Sequence, residues 1–373
     1  MIVVATHNFP PHEPVHVFAH RIRGKGLAEL AGHPYAGLHR FAAPYPLRQW
    51  MKALAMRPLL RDPALRGVIC DSWKSALHLP PTRAPVLVMA HGMEFPPDPS
   101  PRRAWRIRRA LGRASVIVAN SRHTAAMLAP HRPAGARVEI IPPPIAPQPE
   151  PTGAARAAIR ALAGPGPLIA AVSRLEDRKG FDRVIAALPG LVGRHPGLRF
   201  LIAGEGSDRA RLEKHAALAG ADGRVVFLGR VEEAAKAALL AEADLFAMPA
   251  RREGASVEGF GIAYLEAAWH GCPALAGREG GAEDAVADGV TGLICDGADP
   301  AAVAAGLAAL LDDAPRRRAM GQAAAARVRA GFLWGQVLPR WEALLGGSQD
   351  PLRPPAAGSV PAAAAHGAAG QAP

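Results

Sequence analysis

Aromatic residues make up only 5% of the 373-residue chain, and cysteines number three. Cys70, Cys272 and Cys295 are scattered, each beside apolar residues, which argues against a disulfide framework or a zinc site and predicts reduced thiols in a core. No apolar run approaches the roughly 18 residues of a membrane span. The opening MIVVATHN is too short for a signal peptide, so the expected address is cytoplasmic. What is present is the balance of an ordinary soluble protein, 49% hydrophobic and 20% charged residues, in a chain long enough for two domains.

Acidic residues are scarce in one half. Residues 1–150 carry 20 Lys and Arg against 8 Asp and Glu, whereas residues 151–373 carry 24 of each. Such asymmetry predicts an anionic partner for the first half, unless it is the solvated surface of an Arg- and Ala-biased composition. Few aromatics interleave with the arginines and no recognition module is visible, which argues against nucleic acid. In PRRAWRIRRALGR (101–113), Arg102, Arg106, Arg109 and Arg113 recur at helical spacing on one face. Ala104, Ile107 and Leu111 line another, with Trp105 beside them. The pattern suits an anionic membrane surface and equally a core-packed helix with a solvated outer face.

Short β-branched runs alternate with Ala/Leu-rich helical patterns, the signature of an α/β protein with parallel sheets. Strands are predicted within 2–6, 67–71, 85–92, 115–121 and 137–142, then within 167–173, 198–204, 224–229, 244–249, 272–277 and 291–296. Two Rossmann-like domains follow, with ligands at the carboxyl ends of the strands. The proline-rich PPPIAPQPEPTG (142–153) reads as the linker between them, and 346–373 as a low-complexity, disordered tail. IAGEGSDRARL (202–212) begins like a dinucleotide fingerprint but has Arg209 at the third glycine position, so it reads as a plain strand-to-helix turn.

In VEGFGIAYLEA (257–267) two carboxylates stand eight residues apart around a glycine-flanked aromatic. On one continuous helix they would lie about 12 Å apart along the axis and roughly 80° apart around it, too far to act on one atom. The glycines instead place Glu258 on a loop and start a helix over Ile262 to Trp269. The amides of Phe260, Gly261 and Ile262 then meet negative charge with the helix dipole behind them. Two acceptors on either side of a helix N-terminus suit a nucleotide-sugar, with a sugar at one end and a ribose at the other.

This stretch resembles the glutamate pair of the retaining glycosyltransferases of family 4, which have the two-domain GT-B fold. GREGGAEDAVADGVTGLICD (277–296) resembles the same family's glycine turn, helix and closing strand. SRLEDRKGFDRVI (173–185) is similar to its diphosphate-binding segment, and VIVANSRHTAAML (116–128) adds a match in the first half. The resemblance covers roughly residues 65–345 well and 1–64 poorly. It implies α/β GT-B architecture, two Rossmann-like domains with parallel sheets facing across a cleft. Residues 1–145 would form the acceptor-side domain and 146–331 the nucleotide-sugar domain, with 332–345 a helix packing back toward the first.

Carried over by position, Arg174 and Lys179 hold the diphosphate, Glu266 the ribose and Glu258 the donor sugar's hydroxyls. Gly280 and Gly281 form a turn close to the donor, which the residues alone would equally explain as a helix N-cap region needing glycine. Arg230 and Val231, after Gly229, fall where base contacts arise. In AHGMEF (90–95), His91 lies at the carboxyl end of a strand, resembling the family histidine beside the transferred sugar, with Glu94 nearby. Asn120 and Ser121 fit an N-cap role at least as well as ligand contact. The chain has no Asp-X-Asp, in keeping with metal-independent transfer and no cofactor beyond the GDP- or UDP-linked donor. The implied reaction moves a hexose, mannose or glucose, to a lipid or polysaccharide acceptor with retention, peripherally at the inner face of the membrane. The acceptor attacks on the face that the diphosphate leaves, and a diphosphate oxygen takes the proton.

One departure bears on activity. The family's glycine pair after the first strand is replaced within HNFPPHEPVHVFAHRI (7–22) by Pro14 and Val15. Proline lacks an N–H and cannot take positive φ. Few strands are apparent between Ala31 and Val68, so the first domain is expected to be shortened or divergent. The alternative readings are a nucleotide-sugar-binding protein with little transfer, or an epimerase on a similar fold.

Overall fold

The computed structural model describes residues 2–4, 16–20 and 37–345. Pro14, Val15 and the 346–373 tail lie outside the described residues. Two sheets are formed, each with every neighbouring pair parallel. The first contains β1 (Ile2–Val4), β2 (His16–His20), β3 (Gly37–Phe41), β4 (Val68–Cys70), β5 (Val86–Ala90), β6 (Val116–Ala119) and β7 (Val138–Ile140), in the order β3-β2-β1-β4-β5-β6-β7. The second contains β8 (Leu168–Val172), β9 (Arg199–Ala203), β10 (Val225–Gly229), β11 (Leu245–Met248), β12 (Ala274–Gly277) and β13 (Gly292–Cys295), in the order β10-β9-β8-β11-β12-β13. Each order reverses once, between β1 and β4 and between β8 and β11. At such a reversal the connections leave in opposite directions and open a crevice at the carboxyl ends of the strands.

Strands such as VLVMA, LFAM and ALAG are almost wholly apolar because helices cover both faces of each sheet. The first domain is not shortened. The segment 7–22 contains β2, and β3 with helix Tyr45–Leu60 follows it, completing seven strands. HVFAH and GLHRF lack a β-branched run, but Phe18 is fully buried and stacks on His39 with ring centroids 4.4 Å apart, His39 lying in turn beside His16. Stacking there replaces the aliphatic packing that marks the other strands.

One face of the first sheet packs on Met56, Leu60, Trp73, Ile107 and Leu111, from three successive helices. Its other face, through Ile69, Leu87, Val116 and Val118, is covered by Val337, Trp341 and Leu345 of the helix Trp334–Leu345. The chain therefore crosses between the sheets twice. The crossings run side by side, Ile145 bridging to Leu333 and donating its N–H to the Phe332 carbonyl at 2.8 Å. Cys70, Cys272 and Cys295 are buried free thiols, and burial pushes Cys70 up to about 12 and Cys295 to about 11. No helix among the described residues is long and apolar enough to cross a membrane.

Candidate active site at the carboxyl ends of the two sheets

The chain leaving β8 makes a tight turn over Asp177–Lys179 and enters the helix Phe181–Val192. Ion pairs hold this turn down. Arg251, leaving β11, bonds Asp182 at 2.7 and 3.1 Å and Asp177 at 2.5 Å, and its N–H reaches the Arg178 carbonyl at 2.8 Å. Arg211 adds bonds to Asp177 at 2.6 Å and Asp208 at 2.5 Å. The consequence is that Arg178 and Lys179 fold inward, with side chains only 6% and 8% exposed.

Both meet the same oxygen. Arg178 Nη1 donates to Glu258 Oε2 at 3.0 Å, and Lys179 Nζ bonds that oxygen as well. Burial pulls the Lys179 ammonium below its ordinary range, with Glu258 opposing. Burial alone would push the Glu258 carboxyl up, but Lys179 and then Arg178 outweigh it and hold the carboxylate below the usual range. The stabilisation from this carboxylate is complete above its ordinary pKa of about 4.3 and is lost as the pH falls through the lower folded-state value.

Glu258 lies on a loop stitched to the turn after β12. Glu258 pairs with Gly280, and the Gly281 N–H reaches the Glu258 carbonyl at 2.8 Å. Gly280 has φ +99°, and a Cβ there would stand 2.3 Å from that carbonyl, while a Cβ at Gly281 would stand 2.1 Å from the Gly259 carbonyl, so the two glycines hold the backbone of Glu258 and Gly259 at distances no side chain permits. Gly261, at φ +90°, then opens the helix Ile262–Trp269, whose first amides have no intrahelical acceptor. Phe260 contributes backbone only, its ring being buried 6.2 Å from that of Phe332. Ile262 is 47% exposed. One turn on, Glu266 Oε1 accepts from Lys236 Nζ at 2.9 Å. Burial opposes the charge on Lys236, yet Glu233 and Glu266 raise its pKa.

Not every expected residue joins this group. Arg174 is 73% exposed and pairs with Glu176 at 2.6 Å, so the buried cation beside Lys179 is Arg178 rather than Arg174. The turn after β8 sends Arg174 outward before folding the next two cations in. Arg230 is exposed and Val231 half-buried, at the carboxyl end of the edge strand β10. Lys236, in the helix that follows, reaches Glu266 from that side. The sequence reading missed Arg178 and Lys236. Their signal was a second cation in DRKG and a lysine on the helix after the Arg230–Val231 turn.

From the other sheet, His91 Nε2 lies 2.9 Å from the Asp71 carbonyl, and the His91 N–H donates to Glu94 Oε1 at 2.7 Å. A carbonyl only accepts, so Nε2 carries the proton and Nδ1 is the acceptor of the neutral ring. Burial pushes the Asp71 carboxyl up, against hydrogen bonds from Ser75 and Ser72 and the charge of the buried Lys52. Ser121 caps its helix, accepting from the Thr124 N–H at 3.0 Å, and donates across the cleft to the Gly259 carbonyl at 2.8 Å. Arg122 meets Asp284 through both N and Nε at 2.6 Å. Gly259 is a point of close approach, since a Cβ there would be 2.6 Å from the His91 carbonyl. Gly259→Ala is therefore expected to hold the domains apart, lowering turnover by about a hundredfold while the nucleotide dissociation constant stays within twofold. Calorimetry beside steady-state rates checks this, and equal losses in both would contradict it.

Helix Pro101–Leu111 divides differently from the expected stripe. Ile107, Ala110 and Leu111 are buried, but Arg113 turns in to the Leu79 carbonyl and Arg106 lies 5.9 Å over the Trp73 ring. Arg102, Arg103, Arg108 and Arg109 make up the exposed basic face.

Two parallel α/β sheets meeting at their carboxyl ends, with buried cations and a helix N-terminus at the junction, form the two-domain architecture of the GT-B fold. Residues 157–327 match the family described as glycosyl transferases group 1, and residues 12–148 match glycosyltransferase family 4. A GDP-mannose-dependent alpha-(1-6)-phosphatidylinositol monomannoside mannosyltransferase of Mycolicibacterium smegmatis is 36% identical over 270 residues, covering 71% of this chain and 71% of that protein. A protein of the same name from Mycobacterium tuberculosis is 35% identical over 273 residues, covering 72% and 69%. Among solved structures, Anabaena HepE in complex with UDP-glucose superposes with a TM-score of 0.70 at 18% identity, over 91% of this chain and 97% of that one, a likeness of fold. The chain belongs to the glycosyl transferases group 1, family 4, and is a glycosyltransferase.

Proposed function

We propose that this glycosyltransferase moves mannose from GDP-mannose to a lipid-linked acceptor, with retention at the anomeric carbon and without a metal ion. The observation that carries the reading is the junction itself, with Lys179 and Arg178 buried on Glu258 beside the amides that open helix Ile262–Trp269. A diphosphate is drawn there by two fixed cations and a helix dipole. Departing nucleoside diphosphate gains charge as the glycosidic bond breaks, so these groups stabilise the transition state more than the ground state. The relatives named above act with GDP-mannose on a phosphatidylinositol mannoside, which supports both donor and acceptor class.

In this reading Glu258 uses Oε1 for a hydroxyl of the donor sugar, while Oε2 stays with Lys179 and Arg178. Glu266 uses Oε2 for the ribose, and Arg230 with Val231 borders the base. His91 Nδ1 accepts from a sugar hydroxyl on the opposite wall. The acceptor hydroxyl attacks the face that the diphosphate leaves, and a diphosphate oxygen receives its proton. The exposed arginines 102, 103, 108 and 109 turn toward anionic headgroups, which supports work at the inner membrane surface.

GDP should raise the melting temperature and UDP should do so less, and incubation with GDP-mannose and a phosphatidylinositol mannoside should extend the acceptor by one α-linked mannose. Response to UDP alone, or a β-linked product, would overturn the reading. Glu266→Ala should weaken GDP binding by about 1.5–3 kcal/mol, the range for a hydrogen bond to a charged group. Unchanged GDP affinity by calorimetry would remove Glu266 from the ribose site.

A further inference from the structure

Helix Tyr45–Leu60 is turned the wrong way round for a core helix. Leu47, Trp50, Met51 and Leu54 are exposed by 51, 62, 37 and 46%, while Lys52 on the opposite face is only 5% exposed, in line with the buried Met56 and Leu60. A single exposed leucine is unremarkable, but positions i, i+3, i+4 and i+7 form one continuous apolar stripe. The helix carries Arg48, Lys52 and Arg57 and no acidic residue, and Arg61 follows its end.

Its surroundings say what the stripe meets. Met56 and Leu60 share a core cluster with Ile107 and Leu111, so helices Tyr45–Leu60 and Pro101–Leu111 lie on the same face of the first sheet and present their outer sides together. The second helix exposes Trp105 by 59%, with Arg109 stacked 5.3 Å over its ring, among Arg102, Arg103 and Arg108. Apolar side chains with tryptophans, set among arginines, match the boundary of an anionic bilayer, where indole rings lie at headgroup level and guanidinium groups meet phosphate. Both helices start from the carboxyl ends of β3 and β5, the rim that carries His91. A lipid whose tails stay in the bilayer would thus offer its headgroup to the cleft.

We propose that Leu47, Trp50, Met51 and Leu54 insert into the acyl boundary of an anionic membrane, the apolar anchor of a surface whose electrostatic part is helix Pro101–Leu111. The choice of a lipid partner rests on the acceptor reading above. Arginines alone give binding that salt abolishes. The stripe adds a part that salt does not remove.

The test uses the full chain with vesicles of phosphatidylcholine and phosphatidylglycerol in equal parts, sedimented at low and high salt. A variant with Leu47→Ser, Trp50→Ser and Leu54→Ser should keep the wild-type melting temperature, because these side chains are exposed, and lose the salt-resistant binding by about tenfold or more. A variant with Arg102→Glu, Arg108→Glu and Arg109→Glu should lose the salt-sensitive binding and keep some of the rest. Brominated phosphatidylcholine should quench more fluorescence in wild type than in Trp50→Phe. Wild-type binding by the triple serine variant at high salt overturns the proposal. So does a wild-type dimer that the serines make monomeric with vesicle binding unchanged, since a second copy would then cover the stripe. Transfer to a water-soluble mannoside separates the two readings: the triple serine variant should retain it. Vesicle insertion without any transfer by wild type defeats the proposed reaction and leaves the anchor standing.

Discussion

Lys179→Ala should lower turnover by about a hundredfold to a thousandfold, the loss found when one fixed donor to a developing charge is removed. Its Nζ sits on Glu258 in the structure, so a negative partner already holds it in place before a donor arrives. Binding of the diphosphate adds a second anion beside a cation that Glu258 Oε2 keeps in place and that has been desolvated in advance. No reorganisation is left for the step in which the leaving oxygen becomes charged. In the proposed scheme the cations of Arg178 and Lys179 do what a metal ion does elsewhere, and wild-type turnover should therefore survive EDTA. Complete loss in EDTA that Mg²⁺ restores, or a Lys179→Ala enzyme within tenfold of wild type, would refute the assignment.

Glu258→Gln should give a different profile. Removing the carboxylate leaves Lys179 buried without its hydrogen-bonded counter-ion and Arg178 with Glu176 alone, at 2.8 Å, which costs about 3 kcal/mol of stability near neutral pH. The deficit should shrink at low pH, where the wild-type carboxylate is protonated too. It should also shrink at high pH. Without Glu258 the folded-state pKa of Lys179 falls further, and between that value and its unfolded pKa of about 10.4 the unfolded chain binds more protons, so the variant gains stability as pH rises. GDP should raise the variant's melting temperature more than the wild type's, because the diphosphate supplies the missing negative charge. Turnover should nevertheless drop, since the acceptor for the sugar hydroxyl is gone. A variant whose stability is unchanged across pH would show that the three side chains do not act together.

The strands that the sequence made legible are those with consecutive apolar residues, such as LIAAV and VLVMA, where burial on both faces leaves no polar position. β2 and β3 escaped because a stacked row of Phe18, His39 and His16 leaves no hydrophobic run. The start of helix Ile262–Trp269 was visible because glycines on either side of Phe260 break the pattern there. Arg178 was not, because its burial depends on Arg251, 73 residues away in sequence, holding the turn through Asp177 and Asp182. Lys236 likewise becomes part of the site only when two helices separated by a whole strand come together. Gly259 could be read as a helix-opening residue from the sequence; that its Cα abuts the His91 carbonyl is a fact of how the two sheets approach. Local signals carried the elements, and the pairings between distant elements stayed hidden.

The helix Trp334–Leu345 has a consequence for how the protein is made. It closes the second face of a sheet whose own strands end at Ile140, nearly two hundred residues earlier. As synthesis proceeds from the N-terminus, the first sheet emerges with Ile69, Leu87, Val116 and Val118 uncovered and must wait for the rest of the chain. The second sheet, whose strands and surrounding helices are contiguous, can complete its core first. The order of synthesis and the order of completion are thus reversed. A fragment ending near residue 145 should collect in aggregates, whereas a fragment ending near residue 331 should present one apolar face that the peptide 332–345, added in trans, can cover.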